Sequence, residues 1–128
     1  MAEEPKKSKI LLIEDDAFMS DLLTTAIARA GFDLANAKTG GEGVSTFQEW
    51  HPDLILLDLI LPDQNGFEAL RQIRRLPGGP EAKVIVLSNL LKETQGEEAT
   101  RLGAVDYLVK SNFSLDEIIA KIKSVLGR

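Results

Sequence analysis

The chain has 128 residues, 44% of them hydrophobic, which is enough for one buried core and too little for two ordinary domains. It has no Cys, so disulfide frameworks, thiolate metal sites and thiol nucleophiles are excluded and a reducing cytoplasm fits better than secretion. A net charge of -5 argues against a basic nucleic-acid surface, and no apolar run approaches the ~20 residues needed to cross a bilayer.

Residues 1–8 read as a polar, flexible leader, with Lys6, Lys7 and Lys9 as solvated charges ahead of the first strand. Ile10 to Ile13 form that strand. After Glu14-Asp15-Asp16, with Asp16 as N-cap, Phe18, Met19, Leu22, Leu23, Ala26, Ile27 and Ala30 recur at helical spacing, and Gly31 ends the helix. Phe32 to Ala37 is a modest second strand, and Thr39 with Glu42 spells a capping box for a helix carrying Val44 and Phe47. Leu54-Ile55-Leu56-Leu57 is apolar at every position, as a central parallel strand covered on both faces must be, and it runs straight into Asp58.

The turn Pro62-Asp63-Gln64-Asn65-Gly66 opens a helix holding Phe67, Leu70 and Ile73, which stops before Pro77-Gly78-Gly79-Pro80. Val84 to Leu87 is the fourth strand, ending at Ser88. The helix after it is poor, with many polar residues, Gly96 inside or near its first turn and few anchors beyond Ala99 and Leu102, so it is expected to be the least stable. Ala104 to Val109 is the fifth strand and ends at Lys110. Ser114 and Glu117 cap a last helix bearing Ile118, Ile119, Ile122, Val125 and Leu126. This alternation predicts an α/β domain, a parallel sheet with helices on both faces, and leaves nothing for a second domain.

In such sheets the working crevice lies beyond the carboxyl ends of the strands. Four strands end there in Glu14-Asp15, Asp58, Ser88 and Lys110. Three converging carboxylates repel one another unless protonated or bridged by a cation, and oxygen donors suit Mg²⁺. Asp58 at the end of the most buried strand needs such a cation, and a carboxylate there can attack phosphorus to give an acyl phosphate. Ser88 offers a hydroxyl donor and Lys110 an ammonium for phosphoryl oxygens. Each residue alone has a dull explanation as a cap, a backbone partner or a surface charge; the combination is what phosphoryl transfer requires.

Taken in order, Ile10 to Asp16, Pro52 to Asp58, Leu61 to Gly66, Val84 to Ser88 and Gly103 to Lys110 resemble the receiver domain of two-component response regulators over essentially the whole chain. The resemblance implies a single receiver domain over 1–128 without an output domain, built as a three-layer flavodoxin-like (βα)5 doubly wound sheet, with five parallel strands in order 2-1-3-4-5. It makes Asp58 the phosphoacceptor, Asp15 a direct Mg²⁺ ligand, Glu14 an acidic partner acting through water, and the Ile60 carbonyl a further ligand. Ser88 and Lys110 would receive the phosphoryl oxygens, and Tyr107 would be a rotor that turns inward when Ser88 shifts.

The implied partners are a sensor histidine kinase or phosphotransfer protein upstream and a protein target or output domain downstream, without direct nucleic-acid or membrane contact, in a cytoplasmic monomer or weak dimer. Such a domain catalyses its own phosphorylation without being a turnover enzyme. There are two departures from the family: Ser111-Asn112 stand where a Pro usually follows the Lys, and Asn89 where a smaller residue is common. Ile60 and Leu90 are apolar and cannot orient a water, which predicts slow dephosphorylation. A scaffold that binds its partner regardless of phosphorylation is the alternative. A flavodoxin-like cofactor protein is disfavoured, because Glu14-Asp15-Asp16 would repel phosphate.

The remaining candidates have plain readings. His51 is a surface loop residue, and Phe47 and Trp50 pack the second helix. Asp106, Glu117 and Lys121 are either solvated charges or partners across a dimer.

Overall fold

The computed structural model describes residues 7–128; most of the expected leader, residues 1–6, lies outside them. Five parallel strands stand in the order β2-β1-β3-β4-β5: β1 Lys9–Ile13, β2 Asp33–Ala37, β3 Leu54–Leu57, β4 Lys83–Ser88 and β5 Asp106–Val109. The helices are α1 Ala17–Arg29, α2 Gly40–Trp50, α3 Gly66–Arg74, α4 Lys92–Arg101 and α5 Leu115–Leu126. This is the expected doubly wound architecture and strand order.

The three central strands explain the layering. They lack the polar–apolar alternation of a sheet with one wet face. All of Leu54 to Leu57 are buried, so alternate side chains must face the two helical layers. Ile10, Leu12, Leu54, Leu56, Ile85 and Leu87 pack with Leu23 and Ile27 of α1 and Ile118 and Ile122 of α5. Their neighbours Leu11, Ile13, Ile55, Leu57 and Val84 pack with Phe47 of α2 and with Leu70 and Ile73 of α3. A smaller cluster joins Leu59, Phe67, Val86, Ala99, Tyr107 and Val109 beneath α4.

Local chemistry sets the boundaries. Asp16 caps α1 by accepting the Phe18 and Met19 N–H groups, and Gly31 takes φ 93° just past its end. Phe32 belongs to that terminus, its N–H reaching back to the Ile27 carbonyl, so β2 begins one residue later than the apolar run suggested. The capping box expected at α2 is only half formed. Thr39 Oγ1 accepts the Glu42 N–H, but Glu42 turns its carboxylate to the Lys38 N–H instead. At α5 both halves of the Ser114–Glu117 box are present.

His51 closes α2 in the left-handed region at φ 53° and is exposed. Phe47 is buried, and Lys9 Nζ lies 5.4 Å from the centre of the Trp50 ring. Lys110, Ser111 and Asn112 make one 3-10 turn, with no cis peptide bond among the described residues. Lys121 pairs with Asp106 of its own chain at 3.2 Å.

Candidate functional site

Parallel register brings the strand ends level. Ile13 pairs with Leu57 and Leu57 with Val86, while Ser88 pairs with Val109, so Glu14, Asp58, Ser88 and Lys110 leave the sheet along one edge. The Asp58 N–H donates to the Ile13 carbonyl at 3.0 Å, and the Glu14 N–H donates to the Ala37 carbonyl at 2.9 Å, which extends the ladder into the site itself.

One carboxylate oxygen from each of Glu14, Asp15 and Asp58 lies within 4.8 Å of the others. Glu14 and Asp58 are buried, and Asp15 is exposed at the mouth. Lys110 Nζ sits between the two buried acids, hydrogen-bonded to Glu14 Oε1 and, at 3.1 Å, to Asp58 Oδ2. Burial pushes the Glu14 carboxyl up to about 7; the Lys110 ammonium offsets part of this and the Asp58 carboxylate adds to it. Burial also works against the Lys110 charge, but its contacts with Glu14 and Asp58 prevail and hold it above the ordinary lysine range.

Three carboxylates against one ammonium leave excess negative charge in a largely buried place. All the spare donors are oxygen. That donor set fits a hard divalent cation such as Mg²⁺, and Cys and His, the donors of softer metals, are missing from the cluster.

The other expected residues surround this cluster. Asp58 Oδ1 accepts the Ile60 N–H at 3.3 Å, so the loop after β3 bends back over the acid, and the Ile60 side chain is 59% exposed beside it. Ser88 is fully buried at the end of β4, its Oγ accepting the Leu90 N–H at 3.2 Å. Tyr107 is buried, and its hydroxyl donates to the Leu90 carbonyl at 2.7 Å, so Ser88 and Tyr107 hold the same short segment from two sides. Asn89 is exposed.

Several supports were not foreseen. Ser20 Oγ and Asn36 Nδ2 both donate to the Glu14 carbonyl, at 3.2 and 3.3 Å, and fix the backbone of an acid whose side chain is already engaged. Gly66, at the start of α3, is needed for space. A Cβ there would stand 2.2 Å from the Asp58 carbonyl oxygen. A hollow of about 480 Å³ lies at the opposite end of the sheet near Ser8, His51 and Lys83, away from this chemistry.

Comparison with known proteins gives a consistent answer. The sequence model described as "Response regulator receiver domain" matches residues 10–123. The chain is 37% identical over 123 residues to the probable transcriptional regulator ycf27 of Porphyridium aerugineum, covering 96% of this chain and 50% of that protein. It is 35% identical to the chemotaxis protein CheY of Thermotoga maritima, covering 80% of this chain and 84% of CheY. The chain thus spans about half the length of the first regulator and most of the second.

Among solved structures it resembles the receiver domain of a sensor histidine kinase from Pseudomonas aeruginosa PAO1, at 25% identity and a TM-score of 0.86, covering 96% of this chain and all of that one. That domain carries a magnesium ion coordinated in its active-site cleft.

Proposed function

Because the chain belongs to the response regulator receiver domain family, and so to two-component signalling, we propose that it accepts a phosphoryl group on Asp58 and signals by repacking the α4–β5–α5 side. The observation that carries the reading is the convergence of Glu14, Asp15 and Asp58 within 4.8 Å, with Lys110 Nζ on the two buried acids.

In this mechanism an Asp58 carboxylate oxygen attacks the phosphorus of a phosphohistidine on a partner kinase or phosphotransfer protein. The new O–P bond forms as the P–N bond breaks, and the electron pair stays on the imidazole nitrogen. Glu14, Asp15, Asp58 and the Ile60 carbonyl are the groups that would hold Mg²⁺, which supplies positive charge beside the phosphoryl oxygens. Lys110 moves its ammonium from Asp58 to a phosphoryl oxygen, and the Ser88 hydroxyl donates to another. Drawing Ser88 inward disturbs its bond with the Leu90 N–H, and with it the carbonyl that holds the Tyr107 hydroxyl. Tyr107 and the start of α4 then settle differently.

Asp58→Asn should abolish labelling by a phosphorylated kinase or by acetyl phosphate in Mg²⁺; undiminished labelling would contradict the assignment. The rival, a scaffold indifferent to phosphorylation, predicts no spectral change with beryllofluoride and identical target binding with and without it. The acyl phosphate should be long-lived, because Ile60 and Leu90 bring no polar side chain to orient a water. Loss of label from the isolated phosphoprotein within seconds would overturn that expectation.

A further inference from the structure

We propose that Asp63 is a positioning residue for this site: it fastens the loop that carries Ile60 to the first turn of α2, and so sets where the Ile60 carbonyl meets a divalent ion. The inference rests on the reading of the acid cluster as a Mg²⁺ site.

Asp63 lies at the exposed tip of the β3–α3 loop, yet both its oxygens are committed. Oδ1 accepts the Gly40 N–H at 2.8 Å and Oδ2 accepts the Gly41 N–H at 3.0 Å. Two successive amides of a helix N-terminus, aimed at one carboxylate, form a bidentate clamp at the positive end of the helix dipole. Gln64 makes a second stitch. Its side chain lies over Gly40, where a Cβ would come within 2.5 Å of Nε2, and its Oε1 accepts from Gln72 of α3 at 3.0 Å.

The segment is also closed on itself. Ile60 bridges Asn65, the Gly66 N–H donates to the Leu59 carbonyl at 2.8 Å, and Asn65 Oδ1 caps α3 through the Phe67 N–H. Such a closed turn moves as a body, so its attachment to α2 decides where Ile60 stands. The attachment completes a path around the acids: Glu14 is bonded to Ala37 at the end of β2, β2 leads into α2, and α2 holds the loop whose Ile60 N–H returns to Asp58.

Helix capping alone does not account for the contact. Thr39 already caps α2 through the Glu42 N–H, from within its own segment. Thr39 and Asp63 therefore serve the same helix end, but only Asp63 ties it to the loop. This difference gives a control.

The test is calorimetric titration of Mg²⁺ into the wild-type chain and the Asp63→Ala, Asp63→Asn and Thr39→Ala variants, with an unfolding curve for each. Asp63→Ala should weaken Mg²⁺ binding about tenfold, the low end of what outer partners of metal sites cost. Asp63→Asn removes the same charge but keeps one oxygen acceptor, and should lose less. Thr39→Ala should lower stability and leave Mg²⁺ affinity unchanged. Unchanged affinity in Asp63→Ala overturns the proposal, as does an equal loss in Asp63→Asn, which would assign the effect to charge, or in Thr39→Ala, which would assign it to helix stability. If the wild-type chain takes up no Mg²⁺, the metal-site reading fails first and this inference falls with it.

Discussion

Helices α3 and α4 are neighbours of nearly equal length, 9 and 10 residues, and they are held by different physics. α3 buries Phe67, Ala69, Leu70 and Ile73 and is capped by Asn65. α4 buries only Ala99 among its own residues, starts at Leu91 without a side-chain cap, and has Gly96 at its fifth position. Apart from Ala99, which shares a small apolar cluster with Phe67, it and the turn after it are tied to α3 by polar bonds: Arg71 to Glu98 at 2.9 Å, and Arg74 to the Leu102 and Gly103 carbonyls at 2.9 and 3.1 Å. A cavity of about 130 Å³, lined by Gly96, Ala99 and Tyr107 among others, lies between α4 and β5. The helix that follows the Asp58 loop is held by a buried apolar face, and the one beside Tyr107 has little buried surface to lose. The proposed function would use both, because a site that held a metal reproducibly would have to report to a face with low local stability.

The contrast can be broken from either side. Leu70 is fully buried in α3, and Leu70→Ala should cost about 2–5 kcal/mol in denaturant unfolding. A loss comparable to that of a surface substitution would show that α3 is not held by its apolar face. On α4, Gly96→Ala would put a Cβ 3.0 Å from Lys92 Cγ, an exposed side chain free to swing aside. It should stabilise the helix by about 0.5–1 kcal/mol and slow amide exchange there, with α3 unaffected. Faster exchange in α4 would mean that backbone freedom at Gly96 is not what limits it.

The smallest effect concerns the loop between β3 and α3. The Gly40 and Gly41 N–H groups hold the Asp63 carboxyl below the usual Asp range. A folded-state value below the unfolded one means that this contribution is present above the unfolded pKa, about 3.9, and is lost as pH falls through the lower folded value. Wild type and Asp63→Asn should therefore differ in unfolding midpoint near neutral pH and converge in acid. A gap that stays constant down the acid limb would show that the carboxylate's ionisation does not matter.

Much of this was legible in the residues. Leu54 to Leu57 announce a doubly covered strand, and Glu14, Asp58, Ser88 and Lys110 each stand where an apolar run stops, so a parallel sheet collects them at one edge. What stayed hidden depends on contacts between distant segments. Pro62-Asp63-Gln64-Asn65-Gly66 reads as a turn, and nothing local says that Asp63 reaches residues 22 and 23 places earlier. Ser20 and Asn36 look like ordinary polar residues of a helix and a strand until the fold carries both to one carbonyl. Glu42 had the right spacing for a full capping box, but the Lys38 N–H competed for it. The fifth strand starts at Asp106 rather than Ala104, because Gly103 turns at φ 78° and Val105, half exposed, gives only its N–H to Val84 before pairing becomes regular.

Gly66 extends this logic to inheritance. Its missing side chain leaves the space taken by the Asp58 carbonyl, and even a methyl group would collide with the main chain of Asp58 and Leu59. The codon for residue 66 is thus answerable to chemistry eight positions upstream, and drift among descendants of this chain should leave glycine there while the neighbouring turn residues vary.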